Sequence, residues 1–179
     1  METPLLETER LRLRPMTETD LGFTYRLFSD PETNRYSSYD GLATPEDAVR
    51  MYKGYLRPGF EDHFRVALEL RETGEAVGTM GLYKYSERDR RAELGYDLLR
   101  SHWGRGIMSE AVGALLGYGF GELGLNRVEA TVDPLSLRSV RLLERLGFTL
   151  EGRMRERYWY KGGPHDELVY GLLKRDWDT

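Results

Sequence analysis

The chain has no cysteine among its 179 residues. That absence excludes disulfides, thiolate metal sites and cysteine nucleophiles together. It fits a reducing compartment, and the sequence predicts a cytoplasmic protein. The three histidines, His63, His102 and His165, are scattered without a metal-ligand spacing, so no metal is expected. No apolar run approaches the length of a membrane span, and the opening "METPLLETER" has no apolar signal core. Neither a membrane anchor nor a leader is predicted. An excess of positive charge is missing as well. The net charge is −4, which gives nonspecific nucleic-acid binding no footing. There is no repeat, no low-complexity segment and no clear linker.

What is present is an ordinary soluble composition, 40% hydrophobic and 31% charged, long enough for one core. A single domain over residues 1–179 is expected. "LRLRPM" alternates, putting Leu11 and Leu13 on one face of a first strand. Thr17 followed by Asp20 starts a helix through "LGFTYRLF". Thr44, Pro45 and Asp47 start a second. "FRVALELRETGEAVGTMGLYKY" reads as a hairpin turning near Glu72 to Glu75, and "RRAELGYDLL" as a further strand. The helix that follows carries Met108, Ala111, Val112, Leu115 and Leu116 at helical spacing. It also carries Gly113, Gly117 and Gly121, which share a face and suggest close packing on a sheet. "RVEATVD" turns Val128, Ala130 and Val132 to one side. "SLRSVRLLERLGF" is a helix capped by Ser136 and ended by Gly147. "RYWYKGGPHDELVYGLLKRDW" is a closing hairpin turning at Gly162 and Gly163. Hairpins around one β-α-β crossover predict an α/β protein with a mixed, mostly antiparallel sheet.

The segment "RSHWGRGIMSEA" places Gly104 and Gly106 around Arg105, immediately before a helix. Free amides at a helix start form an anion site, and bare backbone lets a phosphate approach. An empty turn explains the same glycines equally well. A nucleotide-triphosphate loop would need Gly-Lys followed by Ser or Thr, which is absent. "GRGIMS" supplies two of the three glycines of a dinucleotide fold, but after about the fourth strand rather than an early one. Coenzyme A, which carries a diphosphate, is a third option.

At this point the chain resembles the GNAT acetyltransferases, and within them the group related to ribosomal-protein N-terminal acetyltransferases (RimJ/RimL-like). Four segments carry the resemblance in order: "ETERLRLRPMTETDL", "AELGYDLLRSHWGRGIMSEA", "VDPLSLRSVRLLERLGF" and "RERYWYKGGPHDELVYGLLKRDW". It implies a GNAT fold with a sheet of about seven strands and about four helices, and transfer of an acetyl group from acetyl-CoA to a primary amine by direct attack in a ternary complex. The acceptor would be a protein N-terminus or a small-molecule amine, and a homodimer is compatible with the group. Leu98, Trp103, Gly104, Arg105, Gly106, Ile107, Met108, Ser109 and Ser136 would bind the cofactor. The strand before the loop would splay from its neighbour to receive the pantetheine arm. Two residues depart from the group's pattern: Met108 stands where a small residue is usual, and Ser136 where asparagine is usual. A longer acyl-CoA and a non-catalytic acyl-CoA-binding module are the rival readings.

Glu93, in "AELGY", is the candidate base, since a carboxylate in a partly desolvated cleft accepts a proton directly or through water. Its other reading is a strand residue paired with Arg91 or with a cross-strand base. Ser139 is the candidate acid at the leaving sulfur. It could equally satisfy a free helix amide or face solvent. Tyr158, Tyr160 and Tyr170 are rival acids or packing residues. Arg138, Arg141 and Arg145 either meet the cofactor phosphates or are solvated. Tyr36, Tyr39 and Asp40, in "NRYSSYDG", either line an acceptor cleft or belong to an ordinary surface loop.

Overall fold

The computed structural model describes residues 3–37, 40–55 and 63–177. Its strands are β1 (Leu6–Glu7), β2 (Leu11–Pro15), β3 (Phe64–Leu70), β4 (Ala76–Ser86), β5 (Arg91–Leu98), β6 (Arg127–Val132), β7 (Thr149–Tyr160) and β8 (Gly163–Leu173). Its helices are α1 (Leu21–Ser29), α2 (Pro45–Tyr55), α3 (Ile107–Gly121), α4 (Leu137–Arg145) and the single turn α5 (Lys174–Trp177). The strands form one sheet in the order β1-β2-β3-β4-β5-β6-β8-β7, antiparallel except where β5 meets β6. The two-residue β1 and the one-turn α5 are the additions to the expected element order. Both are too short to leave a periodic signal. No helix among the described residues is long and apolar enough to cross a membrane.

The capping signals act as expected. The Asp20 carboxylate accepts the Thr17 backbone N–H at 2.7 Å, and that of Asp47 accepts the Thr44 N–H at 2.8 Å. The β3–β4 hairpin closes with Leu70 N–H donating to Glu75 O at 2.8 Å. The last hairpin turns at Lys161 and Gly162, both at positive φ, while Gly163 already pairs with Tyr160 in the sheet. The expected turn is therefore one residue too late.

Alternation along β2, β4, β5 and β6 puts Leu13, Met80, Leu82, Leu94 and Val128 on one side of the sheet. There they pack with Val112, Leu115, Leu116 and Phe120 of α3 and Leu143 of α4. Burial of such side chains, at roughly 25 cal/mol per Å² of apolar surface, holds the layers together. The opposite face packs on Phe23, Leu27 and Phe28 of α1 and on Tyr52 of α2. The glycine expectation for α3 is corrected here. Gly117 and Gly121 are exposed, and a Cβ on either would meet nothing within 4 Å. Gly119 is the helix glycine held close: a Cβ there would sit 3.1 Å from Leu125 Cδ1.

Candidate active site

The parallel pairing of β5 with β6 ends at Glu93↔Glu129, although β5 continues to Leu98 and β6 to Val132. On its other side β5 stays paired with β4 through Leu98. The strands therefore splay, and the edge from Leu94 onward faces open space. The opening is a cleft of ≈ 1290 Å³, larger than the roughly 300–1,000 Å³ usual for a single small ligand. Trp103 Nε1–H donates to Leu98 O at 2.8 Å. The Leu98 carbonyl is thus occupied, and the usable edge lies before it.

One end of the cleft is made of backbone. Gly104 and Gly106 both have positive φ, 74° and 75°, a region that side chains disfavour. A Cβ at Gly104 would meet nothing within 4 Å, so the cradle is open to the cleft. Gly106 caps α3, whose first amides lack intrahelical partners and carry the positive end of the helix dipole. The loop is clamped from behind. Arg10 donates from its Nη1 to Arg105 O at 2.9 Å and from its Nε to Glu110 at 2.6 Å, while Thr8 Oγ1 lies 2.5 Å from Glu110. Burial pushes the Glu110 carboxyl up, but hydrogen bonds from Thr8 and Arg10 outweigh it and hold the group below the usual carboxylate range. From α4, Arg138 lies over the Trp103 ring at 4.6 Å, and Arg141 and Arg145 line the same cleft. The open glycines, the helix start and the three guanidiniums fit a phosphorylated cofactor arm.

Of the expected cofactor residues, Leu98, Trp103, Gly104, Gly106, Ile107, Met108, Ser109 and Ser136 line the cleft. Arg105 does not. It is exposed, with its carbonyl turned to Arg10. Met108 is 7% exposed and belongs to the main core. Its bulk is taken up by the apolar layer beneath α3, although it also lines the cleft. Ser136 occupies the cap of α4 without a side-chain capping bond.

The other end is made of side chains. Glu93 lines it, but with Lys84 Nζ at 2.6 Å from its carboxylate. The cross-strand pair, one of its two readings, is what the structure holds, not a carboxylate standing alone. Four residues on, Asp97 pairs with Arg65, which also reaches Tyr83 Oη. Burial pushes the Asp97 carboxyl up, and the guanidinium only partly offsets it. Beyond β6, Asp133 accepts from Tyr160 Oη at 2.8 Å and sits 3.1 Å from His165 Nδ1. Glu167 of β8 lines the same end.

Ser139 lines the cleft from α4, and Tyr96 meets it from β5. The Tyr96 hydroxyl is buried and has no hydrogen-bond partner. Burial pushes its pKa up to about 12; the adjacent Ser139 favours the anion, yet falls short of hydrogen-bonding geometry. Nothing in the sequence marked Tyr96 as an orphan hydroxyl. Tyr170 is a core residue, 1% exposed, and so is removed as an acid. Tyr36 reaches the cleft and Asp40 does not. Tyr39 lies outside the described residues. Asn34, at the start of that loop, is buried and donates to Phe28 O and Asp30 O, and Lys161 Nζ donates to the carbonyl of Asn34. The start of the loop, from Asn34 to Ser37, is therefore docked.

Comparison with known proteins places this geometry in context. Residues 10–149 match the acetyltransferase (GNAT) domain family. The chain is 39% identical to the uncharacterized N-acetyltransferase p20 of Bacillus licheniformis, over 99% of each chain. It is 36% identical to the uncharacterized N-acetyltransferase YoaA of Bacillus subtilis (strain 168), over 96% of this chain and 97% of the other. Among solved structures, a GNAT-family acetyltransferase from Bacillus anthracis superposes with a TM-score of 0.85 at 26% identity, covering 96% of this chain and 99% of that one.

Proposed function

Since the chain belongs to the GNAT acetyltransferase family and moves an acetyl group from acetyl-CoA to an amine, we propose that the amine attacks directly, with both substrates held in the splay between β5 and β6. The observation that carries this reading is the pairing that stops at Glu93↔Glu129. It leaves a strand edge beside an anion cradle at one end and acidic side chains at the other.

Acetyl-CoA supplies the acetyl thioester. The amides from Gly104 to Ser109 hold its diphosphate, with Arg138, Arg141 and Arg145 at the rim. The free edge from Leu94 to Asp97 pairs with the arm, and an amide there polarises the thioester carbonyl. Holding both reactants in one cleft supplies much of the rate. Glu93 takes the proton of the arriving ammonium, with Lys84 keeping the carboxylate in position. Tyr96 and Ser139 face the departing sulfur. A tyrosine with a pKa near 12 keeps its proton beside a thiolate, whose thiol has a pKa of about 8.5. Tyr96 therefore steadies the thiolate by hydrogen bonding, and the proton that ends on sulfur comes from solvent. This replaces the simpler expectation of Ser139 as the acid. The narrower resemblance to ribosomal-protein N-terminal acetyltransferases supports protein N-termini as one acceptor class.

Initial rates measured with acetyl-CoA and amine varied together test the scheme. Intersecting lines are expected, and parallel lines would rule out direct attack. Glu93→Gln should lower turnover by roughly 10²-fold, with recovery as pH rises and free amine accumulates. Tyr96→Phe should lower turnover without that recovery while raising stability, because it removes a buried unsatisfied hydroxyl. Full turnover in Tyr96→Phe would return the residue to packing.

A further inference from the structure

The acidic end of the cleft contains carboxylates that are already matched. Glu93 has Lys84, Asp97 has Arg65, Asp133 has Tyr160 and His165, and Asp166 has Arg153 at 2.6 Å. Glu167 differs from all of these. It is only 9% exposed, lines the cleft, and has no hydrogen bond or ion pair among the described residues. Lys84 and Tyr160 feel its charge without bonding to it. Its stem is packed while its carboxylate opens on the cleft, so an unpaired negative charge is held where an arriving cation can meet it. A metal ion would need further ligands, and no group of three suitable side chains occurs among the described residues.

We propose that Glu167 is the anchor for a cationic group on the acceptor, and that the acceptor is a small diamine or polyamine. The proposal rests on the acetyl-transfer reading above. The ammonium on Glu167 cannot be the group that reacts. A nitrogen must be neutral to attack the thioester, whereas an ion pair with Glu167 keeps it protonated. The anchored cation and the attacking amine are therefore two groups on one molecule. Register gives their placement. Leu168 pairs with Val132 at the end of β6, so Glu167 lies one strand beyond the splay on the β8 side. Neighbouring strands lie about 4.8 Å apart, so the two nitrogens are separated by one to two strand spacings. Alternation puts Glu167, Val169 and Thr131 on the same face as Glu93, the face where the amine arrives.

The test compares diaminobutane, with an amine at each end, against n-butylamine, and extends to longer and shorter diamines. Acetylation is followed by mass spectrometry. Wild-type protein should favour the diamine by at least tenfold in kcat/KM, with an optimum chain length. Glu167→Gln, of the same size and shape, should reduce that preference below threefold. Glu167→Asp, which keeps the charge on a shorter stem, should retain part of it and move the optimum to a longer diamine. Acetyl-CoA binding by calorimetry confirms that each variant is folded. A wild-type protein indifferent to the second amine, or a Glu167→Gln variant that keeps the preference, overturns the anchor. Acetylation of peptide N-termini without discrimination between the two butane amines also overturns it, while leaving the transferase reading standing. Acetyl-CoA bound but transferred to no amine or peptide overturns both.

Discussion

The two ends of the cleft are built in opposite ways. The end assigned to the cofactor comes from one contiguous stretch, Leu98 to Ser109, and its working parts are backbone amides, with α4 adding three arginines. The end assigned to the acceptor is assembled from β3, β4, β5, β8 and the loop before α2, and its working parts are side chains in ion pairs. Backbone amides can be arranged by any sequence that allows the φ values, so this end depends on where glycine is required. Side-chain groups are set individually, so the other end can change its ligand with single substitutions. The difference predicts that the first end fails through shape and the second through charge.

The largest effect is expected where the backbone end rests on the core. Met108 lines the cleft yet is 7% exposed within the apolar layer. Met108→Ala should cost about 2–5 kcal/mol of stability, as for other buried large-to-small changes. Urea unfolding measures it. A loss under about 0.5 kcal/mol would mean that the side chain contributes to the ligand surface and little to the core.

A smaller effect is expected at the cradle itself. Gly106 has φ 75°, and a Cβ there would sit 3.4 Å from Arg10 Nη2. Gly106→Glu adds strain, bulk and a negative charge where a diphosphate is to bind. Acetyl-CoA affinity should fall at least tenfold, about 1.4 kcal/mol. Calorimetry on folded protein with unchanged affinity would remove the loop from phosphate binding.

The same contrast explains what could be read from the sequence. Glycine before a helix, alternation in "RRAELGYDLL" and the period of α3 are local signals, and they located the splayed strand, the loop and the helix. Glu93 and Ser139 were legible as cleft residues for that reason. The partners that define their chemistry were not. Lys84 meets Glu93 only because a β-bulge in β4 falls between Tyr83 and Ser86. Tyr96 is an orphan only because of what packs around it. Glu167 differs from Asp166 by which face of β8 it occupies. Met108 was legible as a departure from the family pattern, but its 7% exposure depends on tertiary packing that the sequence does not display.

The smallest effect concerns the clamp behind the cradle, which joins residues one hundred positions apart. Glu110 accepts from the Arg10 backbone N–H at 2.9 Å and from its side chain at 2.6 Å. Its carboxyl is held below the usual range in the folded protein. A carboxylate whose folded pKa is depressed contributes stability that is fully present above its unfolded pKa, about 4.3. That contribution is lost as pH falls through the lower folded value. Glu110→Gln should therefore cost about 1 kcal/mol at neutral pH through the loss of charge-assisted bonds. The gap between wild type and variant should narrow as pH falls below about 4. Acetyl-CoA affinity should fall less than in Gly106→Glu, because the clamp positions the loop without touching the ligand. Thermal unfolding at neutral and acidic pH, run on both proteins, measures the gap directly. A difference that stays constant down to acidic pH would show that Glu110 acts by packing, and the charge-based account of the clamp would fail.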